Sequence, residues 1–133
     1  MNKKIVVLGI LKEVRIDENR TPFSPGQVSN ILNKFSNIDW ILWILIEKII
    51  PKILNSHRPE LVIYQAGADP FSGDQLGSLK ITKKGLQKRD ELVIESCKKL
   101  SIPIAGTLGG GYAEDPEDTV DIHLQTSLSF INA

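Results

Sequence analysis

The stretch Leu61-Val-Ile-Tyr-Gln-Ala-Gly-Ala-Asp-Pro-Phe-Ser-Gly-Asp-Gln-Leu-Gly77 decides the fold of this chain of 133 residues. It begins as a short apolar run of β-forming residues, 61–64, and then becomes a glycine-rich loop that carries Asp69 and Asp74. Open α/β sheets form their sites in such loops, at the carboxyl ends of buried strands. The stretch therefore predicts a strand of a parallel sheet that ends in a ligand loop.

A second stretch of the same kind, Ile102-Pro-Ile-Ala-Gly-Thr-Leu-Gly-Gly-Gly-Tyr112, predicts a neighbouring strand and loop. A tyrosine hydroxyl after such glycines can donate a hydrogen bond to an oxyanion that forms on a metal-polarised carbonyl. Tyr112 can equally cover a glycine turn. Asp74 can bind a divalent metal, cap the following helix or close a turn, and capping or turn formation is the commoner role of such an aspartate.

Strand and helix patterns alternate along the rest of the chain. Strands are predicted at 5–11, 61–64 and 102–108. Helices are predicted at 25–35, at 40–54 with the end of the helix at His57-Arg58-Pro59, at 82–100 and at 116–126, with fraying after 126. Pro51 is expected to kink its helix or to mark a new turn. Right-handed crossovers between the strands then give an α/β fold, a three-layer open parallel sheet with flanking helices.

Composition and charge indicate a globular chain without a nucleic-acid or membrane partner. The 16 basic and 16 acidic residues cancel, so nothing attracts a polyanion. The apolar run at 40–46 is far shorter than the roughly 20 residues that span a membrane, and we expect no secretory signal. Cys97 is the single cysteine, which excludes an internal disulfide. We expect it to be buried and inert, in agreement with a cytoplasmic protein.

Four motifs follow one another between residues 40 and 126. They are Pro59-Glu-Leu-Val-Ile-Tyr-Gln-Ala-Gly-Ala-Asp-Pro70, Gly73-Asp-Gln-Leu-Gly77, Thr82-Lys-Lys-Gly-Leu-Gln-Lys-Arg-Asp90 and Gly109-Gly-Gly-Tyr112. In this order they resemble the C-terminal third of the histone deacetylase family, within the arginase–deacetylase superfamily. The resemblance implies that Asp74 is one of three zinc ligands and that Tyr112 polarises the acetyl-lysine carbonyl and stabilises the tetrahedral intermediate. It also implies that Gly110 and Gly111 contact the substrate.

The same resemblance calls for residues that this sequence lacks. Such deacetylases take the other two zinc ligands from an Asp-x-His pair and use a tandem His-His as acid and base, whereas the histidines here are His57 and His123. Asp121-Ile-His123 imitates the pair, but side chains two residues apart on a helix diverge by about 200°. We therefore expect no zinc ligation there. The expectation is an incomplete deacetylase fold that does not retain zinc and is inactive alone.

The first residues resemble other proteins. Ile10-Leu-Lys-Glu-Val-Arg-Ile-Asp-Glu-Asn-Arg-Thr-Pro-Phe-Ser-Pro-Gly-Gln-Val28, within residues 5–37, resembles the N-terminus of alanine dehydrogenase, nicotinamide transhydrogenase and saccharopine dehydrogenase proteins. This implies that Arg20 contacts a substrate carboxylate, although the dinucleotide fingerprint is absent.

We interpret the chain as a composite of a dehydrogenase-like segment, 1–37, and a deacetylase-like domain, 38–133. Two alternatives stay open. One is an NAD-dependent amino-acid dehydrogenase-type segment that binds a carboxylate substrate through Arg20. The other is a non-catalytic interaction protein that self-associates through residues 40–54, whose apolar side chains cover nearly the whole circumference of the predicted helix.

Overall fold

The computed structural model describes residues 5–9, 38–77 and 79–133. Three strands and three helices alternate in this part of the chain. In chain order they are β1 (Ile5–Gly9), α1 (Ile38–His57), β2 (Leu61–Gly67), α2 (Lys83–Lys99), β3 (Ile104–Gly109) and α3 (Pro116–Ile131).

The three strands form one parallel sheet in the order β1-β2-β3. Val62 in the middle strand has Val6 of β1 and Ile104 of β3 as its register partners. Parallel neighbours require crossover connections, and α2 supplies the one between β2 and β3. The predicted α/β class, a parallel sheet with flanking helices, is confirmed.

One face of the middle strand forms the floor of the core. Val62, Tyr64 and Ala66 point to this face and are fully buried, whereas Ile63 on the other face is half-buried and Gln65 is exposed. Helices cover the buried face. The buried apolar residues that they contribute are Ile46, Ile50 and Leu54 from α1, Leu86, Leu92, Val93 and Cys97 from α2, and Ile122 from α3.

Cys97 is fully buried in this core. Burial raises the pKa of its thiol to about 11, because the thiolate loses its hydration in apolar surroundings. The thiol therefore stays protonated at neutral pH and out of reach of solvent. The predicted burial of Cys97 is confirmed, and its lack of reactivity stays a prediction.

Helix α1 ends where the sequence predicts, at His57 before Arg58-Pro59. It continues through Pro51, and the Asn55 side-chain amide donates to the Pro51 carbonyl at 2.8 Å. At its other end, Asp39 accepts hydrogen bonds from the backbone N–H and the hydroxyl of Thr82, at 3.0 and 2.5 Å. The start of α1 is therefore tied to the start of α2.

The caps of α2 and α3 agree with the sequence. Thr82 accepts from the Gly85 N–H at 2.9 Å, as an N-cap should. Asp115 caps α3, and Pro116 occupies its first helical position. The predicted fraying after residue 126 is wrong, because α3 continues to Ile131. Phe130 packs against the core, and this contact stabilises the last turn.

Of the N-terminal residues 1–37, the structure describes residues 5–9. β1 confirms the first strand, and it joins the sheet beside β2. The predicted helix at 25–35 lies outside the described residues, and the domain boundary after residue 37 stays a prediction. None of the described helices combines the length and the apolar character that a membrane span requires.

Candidate functional site

The loops that follow β2 and β3 start side by side at one edge of the sheet. β2 ends at Gly67 and β3 at Gly109, and these two residues are register partners. The backbone N–H of Ala68 also donates to the Gly109 carbonyl, at 3.3 Å. We call the two segments, residues 68–77 and 110–115, the edge loops. Their proximity at the carboxyl ends of parallel strands is the arrangement that the sequence predicts.

Asp74 joins the two edge loops through a carboxylate that is almost fully buried. Its Oδ1 accepts hydrogen bonds from the backbone N–H groups of Leu76, at 2.8 Å, and Gly77, at 2.6 Å. Its Oδ2 accepts from the backbone N–H of Tyr112, at 2.6 Å. The first two bonds close a turn inside the first loop, and the third holds the second loop against it. Of the three roles that the sequence allows for Asp74, these bonds show turn formation.

Tyr112 has a fixed main chain and an exposed ring. Its carbonyl accepts from the Gln75 N–H at 3.0 Å, and the Glu114 N–H donates to the Gly73 carbonyl at 3.1 Å. These two backbone contacts make a short antiparallel bridge between the loops, and the bond from the Tyr112 N–H to the Asp74 carboxylate adds to it. Tyr112 is 58% exposed, so its side chain is open to solvent at the edge of the sheet.

Gly110 and Gly111 take backbone conformations that favour glycine. Their φ angles are +66° and +110°, in the region that L side chains rarely adopt. A Cβ on Gly110 would collide with the Asp69 carboxylate, and one on Gly111 would lie 2.6 Å from Thr119 Cγ2. Both glycines are therefore required for the main chain to reach Tyr112 along this path. Their contact with a substrate stays a prediction.

Helix α3 contacts the second edge loop through His123. The Nε2 atom of His123 lies 3.0 Å from the Gly110 carbonyl oxygen, so the ring binds this carbonyl in the tautomer that carries its proton on Nε2. The Nδ1 atom is buried and has no hydrogen-bond partner among the described residues. His123 therefore contributes to the position of the glycines before Tyr112, a role that the sequence did not reveal.

Asp121 points away from His123, as the helical geometry predicts. It binds Lys83 of α2 at 2.8 Å, and Lys83 also binds Asp118 at 2.7 Å. These hydrogen bonds raise the pKa of the Lys83 ammonium group to about 12 and lower the pKa of the Asp121 carboxyl. Asp121 and His123 thus have different partners, and the described arrangement does not bring them together as metal ligands.

Comparison with known families decides the class of the chain. The model of the histone deacetylase domain matches residues 26–126, which is more than half of the sequence. The chain belongs to the histone deacetylase family. The match includes both edge loops, so the resemblance inferred from the four motifs is confirmed at the level of the family. It leaves out Arg20 and most of the segment 5–37, and the dehydrogenase resemblance of that segment stays a prediction.

Individual relatives match a shorter part. An uncharacterized protein of Picosynechococcus is 42% identical over 71 residues, which are 53% of this chain and 24% of that protein. Histone deacetylase 2 of Arabidopsis thaliana is 47% identical over 55 residues, 41% of this chain and 14% of the relative. Histone deacetylase HDAC1 of Drosophila melanogaster is 39% identical over 64 residues, 48% of this chain and 12% of the relative. The chain therefore spans no more than about a quarter of the length of these relatives, in agreement with the predicted incomplete deacetylase fold.

The described residues do not form a zinc site of the kind that the family implies. Catalytic zinc takes three protein ligands. Within 5–9, 38–77 and 79–133, no group of three or more His, Cys, Asp or Glu side chains is placed to hold a metal ion. Both carboxylate oxygens of Asp74 accept hydrogen bonds from backbone N–H groups. In this part of the chain Asp74 joins the loops, and its role as one of three zinc ligands stays a prediction.

Two further residues named from the sequence are not part of the edge loops. Arg20 lies outside the described residues, so its contact with a substrate carboxylate stays a prediction. His57 is exposed at the end of α1, where its Nδ1 lies 3.0 Å from the Ile53 carbonyl oxygen.

Four polar residues in the core form a buried cluster that the sequence patterns do not predict. We call them the polar cluster: Tyr64, Arg89, Asp90 and Thr126, each 1% exposed or less. Asp90 Oδ1 accepts from the Tyr64 hydroxyl at 2.5 Å and from Arg89 Nε at 2.8 Å. Asp90 Oδ2 accepts from the Thr126 hydroxyl at 2.6 Å. The cluster thereby connects β2, α2 and α3.

The polar cluster also contacts the start of the first edge loop. Arg89 Nη1 donates to the Gly67 carbonyl at 2.8 Å, at the point where β2 ends and the first edge loop begins. Burial raises the pKa of the Tyr64 hydroxyl well above its ordinary value; the Arg89 charge partly opposes this, and Asp90 adds to it. The hydroxyl therefore stays protonated and donates to Asp90. The signal in the sequence was the pair Arg89-Asp90 inside an otherwise amphipathic helix.

Proposed function

We propose that the chain is a fragment of a zinc-dependent deacetylase, equivalent to the C-terminal third of the family's domain. The parent reaction is the hydrolysis of an acetyl-lysine-type amide. Membership of the histone deacetylase family supports the reaction class, and the names of the relatives from Arabidopsis and Drosophila agree with it.

One observation carries the role of the edge loops. The Asp74 carboxylate binds the Tyr112 N–H and so fixes the tyrosine at the carboxyl edge of the sheet, with its ring exposed. Hydrolysis of an amide passes through a tetrahedral intermediate whose oxygen carries negative charge. A hydroxyl held by a rigid main chain is a suitable hydrogen-bond donor to that oxygen. We assign this task to Tyr112, with Gly110 and Gly111 beside the substrate.

We expect that the chain of 133 residues does not itself hydrolyse acetyl-lysine. The two histidines of the sequence are His57 and His123, and the first is exposed at the end of α1 while the second binds Gly110. Neither lies in the paired arrangement that would transfer protons to and from a substrate. We therefore expect that the chain forms the part of a deacetylase site that contains Tyr112 and lacks the groups that activate water.

The test measures zinc and hydrolysis together. The purified chain is dialysed against zinc, its metal content is determined by elemental analysis, and an acetyl-lysine peptide is followed by mass spectrometry. We expect far less than one zinc per chain and no loss of the acetyl group. Stoichiometric zinc that disappears in Asp74→Ala, together with turnover that disappears in Tyr112→Phe, would overturn the fragment proposal.

Substrate contact is tested separately by NMR. Titration of the labelled chain with the acetyl-lysine peptide should shift the amide signals of Gly110 and Gly111, and the same peptide without the acetyl group is the control. We expect the shift to be weaker in Tyr112→Phe. Equal shifts with both peptides would mean that the edge loops do not recognise the acetyl-lysine group.

The dehydrogenase-like interpretation of residues 5–37 has its own test, since the family match begins only at residue 26. Pyruvate or NAD is titrated while the fluorescence of Trp40 and Trp43 is followed. Saturable binding that is lost in Arg20→Ala would support a carboxylate-binding segment. No change in fluorescence, combined with no heat of binding in calorimetry, would remove this alternative.

A further inference from the structure

Helix α3 carries large apolar side chains on the side that faces away from the core. Its core side includes Ile122 and Thr126, both buried. On the opposite side lie four exposed apolar residues, which we call the outer stripe: Val120 (61% exposed), Leu124 (53%), Leu128 (38%) and Ile131 (77%). Their spacing of three to four residues places them along one line of the helix surface.

A helix on the surface of a soluble domain normally presents polar side chains to water. The outer stripe breaks this pattern over almost the full length of α3, which has 16 residues and is about 24 Å long at 1.5 Å per residue. Scattered apolar residues on a surface need no explanation, but a continuous apolar line of this length marks a contact surface.

We propose that the outer stripe binds a second copy of this chain, with the two α3 helices antiparallel across a two-fold axis. A two-fold interface must be self-complementary, because the same patch is used on both sides. With the axis near the middle of the stripe, Val120 packs against Ile131 of the partner subunit, and Leu124 packs beside Leu128 of the partner subunit. The most exposed residues of the stripe are then the ones that cover each other.

The charges at the two ends of the stripe favour this orientation. Glu117 lies exposed in the first turn of α3, and the neighbouring Asp118 is bound to Lys83. At the other end, Lys98 of α2 is exposed and contacts the carbonyl of Ala133. An antiparallel pair places Glu117 of one copy near Lys98 of the partner subunit, twice by symmetry. A parallel pair would instead bring like charges together, which is unfavourable.

The proposed contact surface lies on α3, whereas the sequence predicted self-association through residues 40–54 of α1. Ile46, Ile50 and Leu54 of α1 are buried in the core of the same chain, and Ile44 and Ile49 are exposed by 38% and 45%. Both surfaces offer apolar side chains. Among the side chains that the structure describes, the four of the outer stripe follow one line of their helix, with Glu117 near one end and Lys98 near the other. α1 therefore supplies a matched control.

The test is sedimentation equilibrium of the full chain over a range of concentrations. We expect a reversible dimer for the unchanged chain. Leu124→Glu should raise the dimer dissociation constant by at least about tenfold, because it places charges inside an apolar contact. Ile49→Glu introduces the same charge on α1 and should leave the constant unchanged. Because both side chains are largely exposed, circular dichroism should show that both variants keep the fold.

The charge contribution is tested by reversal. Lys98→Glu and Glu117→Lys should each weaken the dimer, and the double variant should restore it. A monomer at every concentration would overturn the proposal. A dimer that is insensitive to Leu124→Glu but lost in Ile49→Glu would also overturn it, because it would place the interface on α1 as the sequence predicted.

Discussion

The two buried aspartates of the described chain, Asp74 and Asp90, have hydrogen-bond donors of different kinds. Asp74 accepts from backbone N–H groups of both edge loops, at Leu76, Gly77 and Tyr112. Asp90 accepts from side chains of the polar cluster and sits beside the guanidinium of Arg89. One carboxylate thus holds the main chain of two loops, and the other balances a buried positive charge between three elements.

The difference indicates which property each aspartate controls. A carboxylate bound by backbone N–H groups fixes the path of the main chain, whichever side chains those residues carry. A carboxylate paired with a buried cation is needed because the cation cannot remain in the core alone. We therefore expect changes at Asp90 to affect the stability of the whole fold and changes at Asp74 to affect the edge loops.

The largest effect is expected for Asp90→Ala. Arg89 would keep its buried charge without a carboxylate, and the hydroxyls of Tyr64 and Thr126 would lose their acceptor. Breaking a buried pair of this kind costs about 3–5 kcal/mol, which is a large share of the stability of a small domain. Urea denaturation followed by circular dichroism measures the loss.

Glu91→Ala is the control for this substitution. Glu91 follows Asp90 in α2 but is exposed, and its contact with Lys88 is 3.5 Å long. Its removal should change the free energy of unfolding by less than about 0.5 kcal/mol. Similar losses in the two variants would mean that the polar cluster does not stabilise the fold.

The polar cluster should also make the fold sensitive to alkaline pH. The pKa of the Tyr64 hydroxyl is raised well above 10.0 in the folded chain, so the unfolded chain releases this proton at a lower pH than the folded chain. Stability from this group is present below about pH 10 and is lost as pH rises further, by at most about 1.4 kcal/mol per pH unit. Urea midpoints at pH 8 and above pH 10 measure it.

Tyr64→Phe isolates this contribution, because it keeps the ring and removes the ionising group. We expect the variant to be less stable at pH 8, where it lacks the hydrogen bond to Asp90. It should also lose less stability than the unchanged chain between the two pH values. Equal pH-dependent losses would assign the alkaline sensitivity to other groups.

A smaller, local effect is expected for Asp74→Asn. The amide keeps one oxygen acceptor but replaces the other by an NH₂ group that faces a backbone N–H. The side chain therefore loses its hydrogen bond either to the Leu76 N–H or to the Tyr112 N–H. An unsatisfied buried donor costs about 1–3 kcal/mol. Amide hydrogen exchange at Gly77 and Tyr112 should accelerate more than exchange in α2. Uniform acceleration through the fold would show that Asp74 acts as Asp90 does.

The comparison of Asp74 and Asp90 also shows what the sequence could reveal. Apolar runs and caps are local signals, so the strands, the core helices and the adjacent edge loops were predictable. The contacts by which the two aspartates join different elements are not local, because Asp90 binds Tyr64 and Thr126, 26 and 36 residues away, and Asp74 binds Tyr112, 38 residues away. The end of α3 was missed for the same reason, because Phe130 packs beside Gly106 of β3.

The smallest effect is expected at the support of the second edge loop. His123→Leu removes the N–H that binds the Gly110 carbonyl at 3.0 Å and should reduce stability by about 0.5–1.5 kcal/mol. His123→Gln retains a donor of similar reach and should behave more like the unchanged chain. The amide signals of Gly111 and Tyr112 report the position of the loop directly.

His57→Leu is the matched control, since it makes the same change at an exposed histidine at the end of α1. It should leave the edge-loop signals in place. If His123→Gln moved those signals as far as His123→Leu, ring packing rather than the hydrogen bond would position the glycines. Helix α3 would then still support the loop, through the packing of the His123 ring, and the hydrogen bond from the Tyr112 N–H to Asp74 would hold the loop from its other side.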